Sequence, residues 1–427
     1  MKFLKLVLEN INLLLENSKF KKGLQMVLLN LADNIYKNSI YMIFTRLVSV
    51  SCGFFFWIIA ARYYSIEDVG LGTSMLASMH IILMLSTLGF DFSIIRFFPK
   101  NQNILTTCLI ITAIMSFILG VAYVLFISII TPDLAFIQES KYFVLFIIFI
   151  VLNTLATMTG RALLSARRPE NYFGQNLFLS LRLLFLVPFV QLGQIGIFSS
   201  CGTANLLGTF YSFYILKDLL IHKLKLNLTF IKESFNFSLA NYASNVFLLL
   251  PAQLLPLMIL GLLGKSEVAK FYIPFTLGNM ISIFSTPLAT SLFVEGSYGG
   301  NFKKAVIKTF LSTYILVIPT ITFIYFFGKP LLNLFGENYI QSFQILRIIS
   351  VSGLLVPLQS LFITILNIKL KISFLIQLSV IYFISSIIFS YIFTLNYGIT
   401  GTAYAWVLTY LLQAISIILI ARWQRWI

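Results

Sequence analysis

The chain has 427 residues, 59% of them hydrophobic and only 10% charged, with a formal net charge of +16. Soluble domains carry about 25% charged residues. At a mean hydropathy of +0.93 there is too little polar side chain here to cover a water-facing surface, so a soluble globule is excluded.

Residues 1–38 alternate apolar positions (Phe3, Leu4, Val7, Leu8, Ile11, Leu14, Leu15) with polar ones (Lys2, Lys5, Glu9, Asn10, Glu16) at helical spacing. This pattern predicts an amphipathic helix in the cytoplasmic interface, with Lys19, Lys21 and Lys22 near anionic headgroups. The segment lacks the uninterrupted apolar core of a cleavable signal peptide. Twelve apolar runs follow, each near the ~20 residues that cross a bilayer. They occupy 39–63, 69–90, 104–130, 142–165, 173–191 and 196–216, then, after a polar basic connector at 217–233, 240–263, 268–294, 309–327, 343–368, 372–395 and 398–420. The fold class is therefore an all-α polytopic membrane protein of about twelve spans. It divides into an N-lobe (39–216) and a C-lobe (234–427).

With the N-terminus inside, the cytoplasmic segments hold 22 Lys and Arg against 5 on the other side. That split follows the positive-inside rule and places both termini in the cytoplasm. It also accounts for the net charge without nucleic acid as a partner. Cys52, Cys108 and Cys201 all fall in apolar runs and read as small hydrophobes rather than disulfide partners or metal ligands. Six spans, a connector and six more suggest a duplication. Ser65 and Glu67 after the first span are echoed by Ser266 and Glu267 after the seventh, and the basic exit of the fourth span (Arg167, Arg168) by that of the tenth (Lys369, Lys371).

The stretch 61–99 combines a polar hinge (Ser65, Glu67, Asp68), a long apolar run with His80 near its middle, and an exit through Gly89, Asp91 and Arg96 before Phe97, Phe98 and Pro99. It resembles the N-terminal signature of the polysaccharide-biosynthesis flippases, which belong to the multidrug/oligosaccharidyl-lipid/polysaccharide exporter superfamily. In that signature a hinge with Glu precedes a second helix ending in Gly and then Arg-Phe, here Glu67, Gly89, Arg96 and Phe97. A weaker echo lies at 262–297. The resemblance implies two six-helix lobes and alternating access. It also implies a cavity lined mainly by the first, second, seventh and eighth spans.

Charges inside a bilayer cost about 2.5–3.5 kcal/mol each on translocon scales, so they mark function by default. All fourteen acidic residues lie in loops or at span ends. Arg182 lies nine residues into the fifth span, too deep to snorkel, with Gln175 on its face and Asn176 nearby. It is expected to face an aqueous cavity; the alternative is a bond to helix carbonyls. Arg46 lies a turn or two inside the first span, and Arg96 and Arg161 at cytoplasmic ends suit an anionic headgroup or simple anchoring. Arg347 reads as an interfacial anchor. His80 suits an interhelical hydrogen bond or a proton relay. Asn241, Asn245, Gln253, Pro251 and Pro256 in the seventh span, with Asn279, Pro274 and Pro287 in the eighth, suggest bent, polar-lined helices between the lobes.

No Gly-rich phosphate loop, His-carboxylate cluster or Cys-His pair is present, so neither an enzyme nor a cofactor is expected. His222 and the sequon at Asn227 both fall in the cytoplasmic connector. A cationic interior without carboxylates selects an anion, and arginine holds phosphate through paired donors. The expected function is translocation of a polyprenyl-diphosphate-linked oligosaccharide repeat unit across a bacterial cytoplasmic membrane for surface polysaccharide synthesis. The substrate-contacting set is Arg182, Arg46, Arg96, His80, Asn241, Asn245, Gln253 and Asn279. Its partners are that lipid-linked anionic glycan, membrane lipids and other glycan-assembly proteins. A cation-coupled multidrug exporter of the same superfamily is one alternative, though it wants an intramembrane Asp or Glu. A glycan polymerase or ligase is another, though it wants a long external loop.

Overall fold

The computed structural model describes residues 34–98, 104–220, 228–283, 302–369 and 371–424, with isolated positions between 284 and 301. Among them all regular structure is helical. The first half comprises α1 (Asn34–Tyr63), α2 (Ile66–Ser86), α3 (Phe90–Phe97), α4 (Ile104–Ile130), a 3-10 segment (Pro132–Gln138), α5 (Ser140–Ser165), α6 (Pro169–Ser180), α7 (Arg182–Leu186), a short 3-10 turn (Val190–Leu192) and α8 (Gln194–Leu220). The second half comprises α9 (Leu228–Leu263), α10 (Lys265–Asn279), α11 (Phe302–Asn333), α12 (Glu337–Ile340), α13 (Phe343–Ser352), α14 (Val356–Ile368) and α15 (Ile372–Trp423). Among the described residues, eight helices are long and apolar enough to cross a membrane. The chain is a polytopic, all-helical membrane protein. Of the expected amphipathic segment at 1–38, residues 34–38 form the start of α1, while 1–33, His222 and the sequon at Asn227 lie outside the described residues.

Several expected spans coincide with single helices, and five do not. The fifth, expected unbroken from 173 to 191, is split between α6 and α7 at Leu181 and stops at Leu186. Pro188 has no N–H to continue the ladder. The eighth ends its first helical segment at Asn279, where Met280 N–H turns back to the Thr276 and Leu277 carbonyls. The tenth is divided into α13 and α14, with Pro357 in the first turn of α14. The eleventh and twelfth are joined in α15 but separated by Gly398, at φ +60°, a backbone state that L side chains avoid. Helix α9 begins at Leu228, so helix takes part of the expected polar connector. The same helix runs through Pro251 and Pro256, so neither proline ends it. Pro287 lies outside the described residues.

The periphery and the centre differ as lipid requires. On α4 and α11 large apolar side chains stand free, Ile129 at 80% and Phe326 at 72% exposure, which suits hydrocarbon and not water. Helix α2 is the most enclosed of the eight. Its buried stripe of Gly70, Gly72, Thr73, Ser74, Ala77 and Ser78 keeps side chains small, which lets neighbouring helices approach closely. At Gly70 the approach is extreme. A Cβ there would overlap the carbonyl of Lys265 and lie 2.8 Å from its carbonyl carbon, so only glycine fits where α2 meets α10.

The hinge read in the sequence organises this end of the molecule. Ser65 Oγ accepts from the Asp68 N–H at 3.1 Å and caps α2, with Glu67 and Asp68 in the first turn complementing the helix dipole. Asp68 Oδ1 also accepts from the Gln194 N–H at 3.0 Å, which ties down the start of α8. Across the halves, Glu67 meets Lys265 at 3.7 Å, so the two segments proposed as repeats pair with each other. Arg62 adds donations to the Leu334 carbonyl (2.9 Å) and the Asn333 carbonyl (2.6 Å). At the opposite end Tyr242 of α9 donates to the Leu85 carbonyl of α2 at 3.0 Å.

Candidate functional site

Between the halves lies a cavity of about 470 Å³. Arg46, Ser49, Gly53 and Trp57 of α1 form one wall. Ala252 and Gln253 of α9, Tyr272 and Asn279 of α10, and Tyr382, Trp406 and Tyr410 of α15 form the other. No Asp or Glu lines it among the described residues. The expected lining by the first, seventh and eighth spans is found, but α2 contributes nothing and α15 takes its place. The physical reason is the small-residue stripe, which lets α2 pack directly against its neighbours and leave the wall.

Arg46 reaches the cavity from the first span. Arg182 stands behind the same wall, its Nη2 3.5 Å from where a Cβ on Gly53 would lie, and its guanidinium covers the Phe56 ring at 5.3 Å. It is half-buried at the first position of α7, where the fifth span breaks. Its Nε has no hydrogen-bond partner among the described residues, and His80, Tyr272 and the Cys201 thiol are close enough to interact with it. The side chain thus faces the protein interior, without a bond to helix carbonyls among the described residues. His80 is exposed and lies outside the cavity wall, on the Arg182 side.

Gln253 and Asn279 both line the cavity. Asn279 uses its Nδ2 to donate to the Phe275 carbonyl at 2.9 Å, which leaves its oxygen to accept. Asn245 is half-buried and outside the wall, and the side chains of Asn241 and Arg96 lie outside the described residues. Gln175, expected to extend a polar lining, is instead a structural bridge. It is 1% exposed and donates to the Ala156 carbonyl at 2.7 Å and to Thr159 Oγ1 at 3.2 Å. The break at Leu181 removes it from the Arg182 face. Asn176 Oδ1 accepts from Ser49 at 3.4 Å, one residue removed from the wall. Arg347, expected to be an interfacial anchor, bonds the Tyr325 hydroxyl and covers the Tyr325 and Phe343 rings. Arg161 meets Asp91 at 3.9 Å. Burial raises the Asp91 carboxyl above its usual range, and the Arg161 charge partly offsets this.

The residues that sequence reasoning missed are aromatic: Trp57, Tyr272, Tyr382, Trp406 and Tyr410. In a chain with 43 Phe, 20 Tyr and 4 Trp, no composition signal separates rings at a cavity from rings in lipid. The available hint was the i, i+4 spacing of Trp406 and Tyr410, which places two amphipathic rings on one helix face.

Comparison with solved structures accounts for this arrangement. The lipid II flippase MurJ in an inward closed conformation superposes with a TM-score of 0.72 at 14% identity, covering 91% of this chain and 87% of that one. The chain shares the fold of that protein. An inward-facing multidrug resistance MATE family transporter of the MOP superfamily gives 0.68 at 16% identity, over 88% of this chain and 97% of that one. An outward-facing MATE transporter gives 0.63 at 16% identity, over 92% and 95%. No family model matches the sequence, and no curated protein matches it either.

Proposed function

We propose that this protein is a flippase that carries a lipid-linked, diphosphate-bearing oligosaccharide across a bacterial cytoplasmic membrane by alternating access. The observation that carries the reading is the sign of the cavity. Arg46 lines it, Arg182 stands behind its wall, and no carboxylate lines it among the described residues. Guanidinium groups hold phosphate through short, charge-assisted bonds. In this reading Arg96 at the inner end of α3 and Arg46 receive the headgroup and Arg182 holds the diphosphate. Gln253 and Asn279 face the sugars, Asn245 and Asn241 belong to the same substrate path, His80 adjusts the charge beside Arg182, and the lipid tail stays in the membrane between the lobes. The MurJ fold likeness supports a lipid-linked substrate. The MATE likenesses support a second reading, export of small organic molecules, but that reading wants an acidic cavity for cationic cargo.

Flipping of a fluorescent polyprenyl-diphosphate disaccharide in reconstituted vesicles tests the proposal. A hydrogen bond to a charged group contributes about 1.5–3 kcal/mol, so Arg182→Ala should slow flipping by roughly ten- to hundredfold, with Arg182→Lys between it and wild type. An unchanged rate in Arg182→Ala would remove this residue from the substrate path. Tetraphenylphosphonium export without glycan movement would favour the second reading.

A further inference from the structure

The cavity has two chemically different walls, and the cationic wall uses only one of them. Opposite Arg46, Tyr382, Trp406 and Tyr410 of α15 form a mutually contacting triad, with ring centroids 5.5–6.2 Å apart and interplanar angles of 63–75°. Where the two walls meet, Trp57 of α1 contacts Tyr272 of α10 at 4.9 Å and 64°. All these contacts are edge-to-face, so each pair sets the edge of one ring on the face of the other and none is a parallel stack. The Trp406 indole N–H has no hydrogen-bond partner among the described residues. Beside the rings, Gln253 lines the cavity, and Asn279, whose Nδ2 donates to the Phe275 carbonyl, keeps its Oδ1 to accept.

We infer that the α15 triad, with Gln253 and Asn279, is a carbohydrate subsite that holds the sugar rings of the cargo while the arginine wall holds its phosphates. A pyranose presents an apolar C–H face and a polar rim of hydroxyls. Aromatic surface at the cavity wall matches the face, and the Gln253 and Asn279 amides match the rim. A cation would also favour aromatic rings, but Arg46 on the facing wall opposes it. This inference rests on the flippase reading and names which part of the substrate each wall takes.

Titration of the full-length protein in nanodiscs tests it with three water-soluble probes. These are geranyl diphosphate, geranyl diphosphate bearing one sugar (N-acetylglucosamine, galactose and rhamnose in turn), and tetraphenylphosphonium. At about 0.5–1.5 kcal/mol per aromatic contact, at least one sugar should tighten binding about three- to tenfold over the bare diphosphate. Trp406→Leu and, independently, Tyr410→Leu should erase that gain while leaving affinity for bare geranyl diphosphate within about twofold. Trp406→Phe should restore part of it. Retained binding of the bare diphosphate certifies that each variant is folded. No sugar gain in the wild type, or a gain that survives both leucine variants, overturns the subsite and leaves the flippase reading standing. Loss of bare diphosphate binding in the wild type, or tight tetraphenylphosphonium binding without any sugar gain, overturns both.

Discussion

Tyr64 stands at the corner where α1 turns into α2, buried, with its hydroxyl donating to the Leu186 carbonyl at 2.7 Å. That bond matters because Leu186 ends α7, the short helix that begins at Arg182. Tyr64 therefore helps position the arginine behind the cavity wall. Burial first, and the Asp68 charge second, push its phenol up to about 12, against about 10 in an unfolded chain. The folded state thus favours the neutral phenol. Its contribution to stability is fully present below pH ~10 and is lost as pH rises through about 12. Tyr64→Phe should cost about 1 kcal/mol at neutral pH, the typical worth of one hydrogen bond. Thermal denaturation in detergent from pH 8 to 12 should show a decline in wild type that is shallower in the variant. Parallel curves would show that the Tyr64 proton does not contribute.

Among elements, the contact between α2 and α10 is the one the rest of the outer end depends on, taking the charge asymmetry to define outside. The Glu67–Lys265 pair across it is largely exposed, and such pairs contribute about 0–1 kcal/mol. The glycine contact is less forgiving, because the obstacle at Gly70 is the Lys265 backbone and not a movable side chain. Gly70→Ala should therefore force the two helices apart at this end. In a background lacking Cys52, Cys108 and Cys201, a Thr276→Cys reporter in the cavity wall should then label faster with a membrane-impermeant maleimide applied from outside. Labelling as slow as with Gly70 present would mean that the lobes accommodate a methyl group without opening. Much of this end was legible beforehand, since a cap residue and two acids after an apolar run announce a helix start. The breaks were less so. Hydropathy reports which residues tolerate lipid, and the residues around Leu181 and Gly353 do so whether or not the backbone stays helical. Span membership of the cavity wall was equally hidden, because a stripe of small residues in α2 can line a path or pack a helix, and here it packs.

Across the whole molecule, charge sign is the property that sequence and structure carry in common. The excess of Lys and Arg over Asp and Glu was readable from composition, and the absence of carboxylates at mid-depth from the position of each acid. What composition could not supply was the division of the cavity into a guanidinium side and a ring side, which needs α15 brought opposite α1. Fixed arginines stay with the protein, so a diphosphate that crosses does so as net moving negative charge. An inside-negative potential then drives it outward, by roughly 2.3 kcal/mol per charge per 100 mV. In vesicles carrying an imposed potassium diffusion potential of about −100 mV, the steady-state ratio of outer to inner glycan should rise about fiftyfold per net charge moved. Reversing the potential should invert the ratio. A ratio indifferent to potential would mean that the headgroup crosses neutralised by a co-transported cation. The arginines would then serve to bind the diphosphate and not to set the direction in which it moves.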